Sequence, residues 1–211
     1  MVINNPEIGF YITLAIEFWS KAQGGVYKMQ PYGLLMIEHR LIERMLAVIK
    51  AAISKIEFKH EIDPVFVDIA VDFLKIYVDR THHGKEEDIL FRELKRKSLS
   101  SDDQRIMNEL IEEHVLVRQT ITLIVNANNR YRDGDDIALI IIANNLKTII
   151  EFFPRHIEKE EKKFYPASRA YFTDEEDQAM LAEFGKLDQK MVHEKYESTI
   201  KELENQHRIQ N

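Results

Sequence analysis

One pattern occurs twice in this chain and limits what it can fold into. The segment EHRLIERML (38–46) is echoed by EHVLVRQTI (113–121), and HHGKEEDILF (82–91) by RHIEKEEKKFY (155–165). His39 and His83 are 44 residues apart, and His114 and His156 are 42 apart. A spacing of that size is the period of a helical hairpin, so its repetition predicts equivalent histidines on four successive helices.

The periodicity between the histidines agrees. Apolar residues recur at helical intervals, as in Ile69, Phe73, Ile76 and Tyr77, or Ile106, Leu110, Val117, Ile121 and Ile124. Strand-like alternation is nowhere sustained. Asp63-Pro64 places an N-cap before a first-turn proline, whose missing N–H has no helical partner to lose. Ser101-Asp102-Asp103-Gln104 and Thr173-Asp174-Glu175-Glu176 have the spacing of a capping box, and Asp133-Gly134-Asp135 marks a turn. These signals predict an N-terminal helix near 6–22, core helices near 31–57, 64–97, 102–131 and 136–170, and a last helix near 174–206. Core helices of about 30 residues are roughly 45 Å long, and four with short links suit an all-α, up-down-up-down bundle. The expected organisation is an N-terminal helical extension (1–30), a bundle (31–172) and a C-terminal helix packed on it (173–211).

Composition narrows the chemistry. A net charge of −7 disfavours nucleic acid as a partner, because neutralising phosphates needs a basic surface and RELKRK (92–97) is short and mixed in sign. With no cysteine, disulfides, zinc fingers and iron–sulfur clusters are excluded, so any metal must use His, Asp and Glu. The apolar stretch IGFYITLAIEFW (8–19) carries Glu17 and falls short of the roughly 20 residues a membrane span needs. The N-terminus has neither the basic region nor the cleavage site of a secretory signal. The expectation is a cytoplasmic protein with no membrane partner. Gly24-Gly25 is a turn rather than a phosphate loop, since no glycine-rich nucleotide fingerprint follows a strand.

Histidine carries the chemical signal. Of the eight in the chain, His39, His83, His114 and His156 fall one per core helix at comparable depth. His83 has Glu87 four residues on, and His156 has Glu160. Four residues turn an α-helix by about 400°, so each pair shares a face. Inward imidazoles and carboxylates suit iron, manganese or zinc, and carboxylates from facing helices can bridge two ions. Burying four such histidines and two acids without a metal would be costly. His82 points about 100° away from His83 on a regular helix and is expected at the surface. His60 and His207 lie at a helix end and in the polar tail. Tyrosines, Met36 and Met45 read as packing. His193, midway along the last helix, is a further candidate ligand.

At this point His39, HHGKEEDILF, Glu113-His114 and the HIEKEEKKFYP block resemble the haemerythrin-like HHE cation-binding domain, over about residues 33–170. The resemblance implies a four-helix bundle around two iron ions bridged by two carboxylates and an oxo or hydroxo group. It implies His39, His83, His114 and His156 as terminal ligands and Glu87 and Glu160 as bridges. Two positions depart from it. The oxygen-carrying members have a further histidine where this chain has Arg118, a guanidinium that stays protonated and cannot bind a metal. The expected site is therefore one protein ligand short. Those members also place the last carboxylate at the position of Glu161, which lies about 140° from His156 on a regular helix. Glu160 is thus preferred, unless a bulge near Pro154 turns Glu161 inward.

The functions implied are binding or sensing of oxygen, nitric oxide or iron at a di-iron centre, with a small ligand or anion as partner. The same centre in a redox enzyme, or as an iron donor for cluster repair, is the alternative, and a metal-free helical interaction module is a third. Zinc or manganese are possible substitutes for iron. A ferritin-like oxidase would need Glu-x-x-His on two core helices, and in or beside the predicted core helices only Glu57–His60 has that spacing.

Overall fold

The computed structural model describes residues 30–188 and 190–209, with side chains for 30–188 and 196–205, and every regular element among them is helical. The helix expected over 6–22 lies outside the described residues. The first long helix, α1, is Pro31–Lys59 and ends at His60, whose left-handed φ of 56° turns the chain out of the helix. Helix α2 starts as Pro64–Asp72, widens into π-helical turns over Phe73–His83 and Glu86–Phe91, and closes with Arg92–Leu94. Helix α3 is Ser101–Arg132. Helix α4 is Ile137–Lys159, continued by a π turn at Glu160–Phe164 and shorter turns to Tyr171. Helices α5, Asp174–Leu187, and α6, Lys190–Ile209, follow. The single helix expected over 174–206 breaks at Asp188, which leaves helical geometry with its carboxylate turned onto Lys85.

The termini follow from the caps. Asp63 accepts the Val65 N–H at 2.9 Å, and Thr173 and Glu176 form the reciprocal capping box. At α3 the cap is Ser100 rather than Ser101. Its hydroxyl accepts the Asp103 N–H at 3.1 Å, because the helix begins one residue earlier than expected. Gly134, with φ of 92°, makes the left-handed step between α3 and α4 that a side chain would disfavour.

Packing joins α3 to α4, α1 to α4 and α2 to α3, while α5 and α6 both lie against α1 and α2. The buried apolar residues fall into two main clusters. One contains Ile42, Ile49, Val67, Leu74, Tyr77, Val117, Ile124, Ile142 and Phe153. The other contains Leu35, Ile89, Phe91, Leu94, Met107, Leu110, Phe164 and Phe184. Each fully buried side chain of this size contributes about 1.5–3 kcal/mol, and the two clusters together can support a polar layer between them. Along α1 the chain passes from the second cluster to the first, along α2 from the first to the second, and α3 and α4 repeat that alternation. The stretch Ile137–Tyr171 is long and apolar enough to cross a membrane by length and composition, yet Ile142, Leu146, Ile149 and Phe153 are spent in the first cluster.

Candidate metal centre

At the level where each helix changes from one apolar cluster to the other, polar side chains turn inward. They are His39 from α1, His82, His83 and Glu86 from α2, His114 from α3, and His156 and Glu160 from α4, none more than 2% exposed. Their donor atoms form three overlapping sets: His83, His114 and His156; His39, His82 and Glu160; and Glu86, His114 and Glu160. Within each set the atoms lie inside 4.8 Å of one another. Glu160 stands between the first two. Its Oε1 is 3.1 Å from His156 Nε2 and 3.9 Å from His114 Nε2, while its Oε2 is 3.2 Å from His39 Nε2. Glu86 directs Oε2 towards His114 Nε2 at 3.4 Å and His82 Nε2 at 3.8 Å, and its Oε1 accepts the Tyr165 hydroxyl at 2.7 Å. The Nε2 atoms of His39 and His82 are 3.0 Å apart.

Many of these inward atoms lack a partner. Nε2 of His83, His114 and His156, Oε2 of Glu86 and both oxygens of Glu160 are buried without a hydrogen bond, their short approaches being turned out of alignment. A natural domain leaves few buried polar atoms unsatisfied, and an unpaired buried donor or acceptor costs about 1–3 kcal/mol. Concentration of so many at one point is what a cation-binding site looks like without its ion, so the residues fit a metal.

The outward ring nitrogens, by contrast, are held. His39 Nδ1 meets Glu161 at 2.9 Å, His82 Nδ1 meets Glu38 at 2.8 Å, His114 Nδ1 meets Glu87 at 2.7 Å and His156 Nδ1 meets Glu113 at 2.8 Å. Each of those carboxylates is gripped in turn by a cation: Glu161 by Arg40, Glu38 by Lys85, Glu87 by Arg118 and Glu113 by Lys159. A carboxylate on Nδ1 fixes the ring and leaves Nε2 to face a metal. The internal repeat reappears in three dimensions, for Lys85-Glu86-Glu87 and Lys159-Glu160-Glu161 take the same places, as do Glu38-His39 and Glu113-His114. His83, whose counterpart in the repeat is Ile157, is the one histidine of the cluster outside that symmetry. Its Nδ1 comes no closer than 3.7 Å to Asp79.

Charge divides the histidines. Burial would lower His39 and His156, but Glu160 and Glu161 raise His39 to about 9, and Glu160 and Glu113 raise His156 to about 10. Burial holds His82 down at about 4 against the pull of Glu38, and burial with the neighbouring His114, His82 and His156 sets His83 well below its ordinary value. Burial, reinforced by Glu160, pushes Glu86 well above the carboxylate range. For Glu160 burial acts the same way, but His156, His114 and His39 outweigh it and hold the group well below that range. The metal-free layer thus holds protons at positions that a cation would take.

The structure brings together His39, His83, His114, His156 and Glu160 of the expected residues. Glu87 is not among them. It lies at the rim on His114 Nδ1 and Arg118, and Glu86 is inside in its place. His82, expected at the surface, is buried beside His39. Both differences have one cause. A regular α-helix advances roughly 100° per residue, whereas α2 here is π-helical, with wider turns that let the adjacent His82 and His83 both face inward. The repeated Lys-Glu-Glu was the available signal, since aligning the two copies pairs Glu86 with Glu160 and His82 with His156. Glu161 is also at the rim, on His39 Nδ1 and Arg40; α4 does acquire a π turn, but from Glu160 rather than at Pro154. The shortfall expected from Arg118 is made up in number, because five histidines converge instead of four. Arg118 itself spans Asp79 and Glu87, and lines a surface cavity with Gly84 and Lys186. Glu57 and His60 are both exposed, so the ferritin-like spacing builds nothing. The side chain of His193, like that of His207, lies outside the described residues.

Among known proteins, the family model described as "Hemerythrin HHE cation binding domain" matches residues 30–168, well over half of the chain. No curated protein and no solved structure matches it.

Proposed function

The chain belongs to the hemerythrin HHE cation-binding domain family, and from that premise we propose that it holds a dinuclear non-haem iron centre which binds a small ligand such as oxygen, nitric oxide or an anion. His83, His114 and His156 would serve one ion and His39 and His82 the other, with Glu160 between them through separate oxygens and Glu86 through Oε2. The alternating passage of α1 to α4 between the two apolar clusters supports an up-down-up-down bundle around this layer. Residues 31–172 would form that bundle, with 173–211 packed on it. One observation carries the reading: inward-facing imidazole nitrogens and carboxylate oxygens, buried and without hydrogen-bond partners, from four helices at one level.

Such a centre, when loaded, supplies open coordination and reversible one-electron chemistry to small molecules. The chain's part is to fix the rings through their Nδ1 carboxylates and to keep bulk water away with the apolar layers on either side. The surface cavity beside Arg118 adjoins Glu87, which holds His114, and offers a direction of approach. With five histidines present, the sequence-based argument for an extra vacant position falls away, and reversible ligand binding is the reading preferred over redox turnover.

Protein purified without a metal-affinity tag and reconstituted with ferrous iron should hold about two ions per chain. Its oxidised form should bind azide with a change in the visible spectrum. One ion would make the site mononuclear, and none would leave a metal-free helical module. Catalytic consumption of peroxide or nitric oxide, in place of stoichiometric binding, would favour the redox alternative.

A further inference from the structure

Of the four chains that run from cation to carboxylate to histidine, one differs in kind. Arg40, Arg118 and Lys159 are all partly exposed, so water can replace any of them on its carboxylate. Lys85 is completely buried. It lies between Glu38, which holds His82, and the Asp188 carboxylate at 2.8 Å, with the Phe184 ring 5.9 Å from its Nζ. Asp188 and Phe184 belong to the segment after Tyr171, beyond the region matched by the family model. Lys159, which occupies the corresponding place in the other half of the repeat, leans instead on Glu109 of α3 at 3.2 Å.

The two proposed ion positions are unequal in a second respect, since three histidines face one and two face the other. The position with fewer nitrogens is the one backed by the sealed chain. We propose that Lys85 and Asp188 are positioning residues through which the C-terminal helices clamp His82 by way of Glu38, and so hold the ion of the two-histidine position. A buried lysine cannot exchange its carboxylate partner for water, so the ring it fixes has only one seat. Loss of Asp188 leaves Lys85 with one of its two anions, and Glu38 with a less firmly placed cation. The inference rests on the dinuclear reading above and adds to it a role for a segment outside the family's matched region.

The test uses the full-length chain loaded with ferrous iron and challenged with an excess of a ferrous chelator, release being followed by colour. Asp188→Asn and Lys85→Met should each release about one ion per chain roughly ten-fold faster than wild type, the usual scale for loss of a ligand-orienting partner, while the other ion leaves at the wild-type rate. Asp188→Glu should restore slow release. Lys159→Met should change release by less than about two-fold, because water reaches Glu113. If Lys85→Met does not fold by circular dichroism, the partly exposed Asp188→Asn decides alone. Wild-type release from both variants, or equal acceleration of both ions, would overturn the clamp. A wild-type chain that never holds two ions would overturn the dinuclear reading first, and this proposal with it.

Discussion

His83 and His114 lie face to face, their ring centroids 3.8 Å apart and their planes within 9° of parallel, with neither ring exposed to solvent. Two imidazolium ions could not be stacked in that way without strong repulsion in a low-dielectric interior. Burial and the neighbouring rings keep His83 well below its ordinary value, so in the metal-free protein this ring is neutral.

Stability of the metal-free protein should therefore fall in acid. His82, at about 4, and His83 are neutral when folded but protonate near 6.5 when unfolded. Their contribution is present above about pH 6.5 and is lost as pH falls towards 4. His39 and His156 act with the opposite sign. Raised to about 9 and about 10, they stabilise fully below about pH 6.5 and lose that contribution as pH rises through those values. Thermal denaturation of chelator-treated protein should give a maximum Tm near pH 6.5, with lower values at pH 4.5 and pH 9. A flat profile across that range would mean that the layer does not titrate as described.

Loading with metal should release protons at neutral pH. His39 and His156 carry both ring protons there, and each must give up the one on Nε2 to bind an ion while Nδ1 stays on its carboxylate. About two protons per chain should appear from these rings, and burial, which pushes the Glu86 carboxyl well above the carboxylate range, favours a further contribution there. Calorimetric titrations in two buffers of different ionisation enthalpy count them. Zero release would contradict the assignment of charge.

Glu86 and Glu87 should separate cleanly on substitution. Glu86→Gln removes an inward oxygen donor and should lower iron content below about two per chain. Glu87→Gln should keep the stoichiometry but weaken hold on the metal about ten-fold, through the loosened His114 ring. The opposite pattern would restore the assignment expected from regular α-helical geometry.

Tyr165 donates to Glu86 Oε1 inside the core and lies nearly parallel to the His39 ring. Tyr165→Phe leaves a buried carboxylate oxygen without that donor and should destabilise the metal-free protein by about 1–3 kcal/mol. In the iron-loaded protein both oxygens of Glu86 become available, and the visible spectrum should shift. Denaturant unfolding and absorption together check this, and no change in either would reduce Tyr165 to packing.

How much of this was legible in the sequence depends on the local helix. The caps at Asp63 and Thr173, the turn at Gly134 and the four long helices could be read because each rests on short-range chemistry. His39, His114 and His156 could be placed at one level because the hairpin period survives small errors in helix ends. Glu86 and His82 could not be placed by angular arithmetic, since that arithmetic presumes α geometry and α2 is π-helical where they lie. The ring-holding role of the carboxylates of Glu38, Glu113 and Glu161 was hidden for another reason. Each meets a histidine on a different helix, so no spacing along the chain reveals it.

The wide turns of α2 reach beyond the placement of two side chains. The π-helical turns over Phe73–His83 and Glu86–Phe91 are built on hydrogen bonds that reach five residues back, an arrangement that seldom persists over so many turns without outside support. Deuterium should therefore enter these amides sooner than those of Ser101–Arg132 when the chain is stripped of metal, and later once iron is restored. Two ions, one held by His82 and the other by His83, with Glu86 beside them, would staple the winding of the helix itself. Iron would then be a structural ingredient of the backbone, laid down when the chain matures, as much as a passenger it carries afterwards.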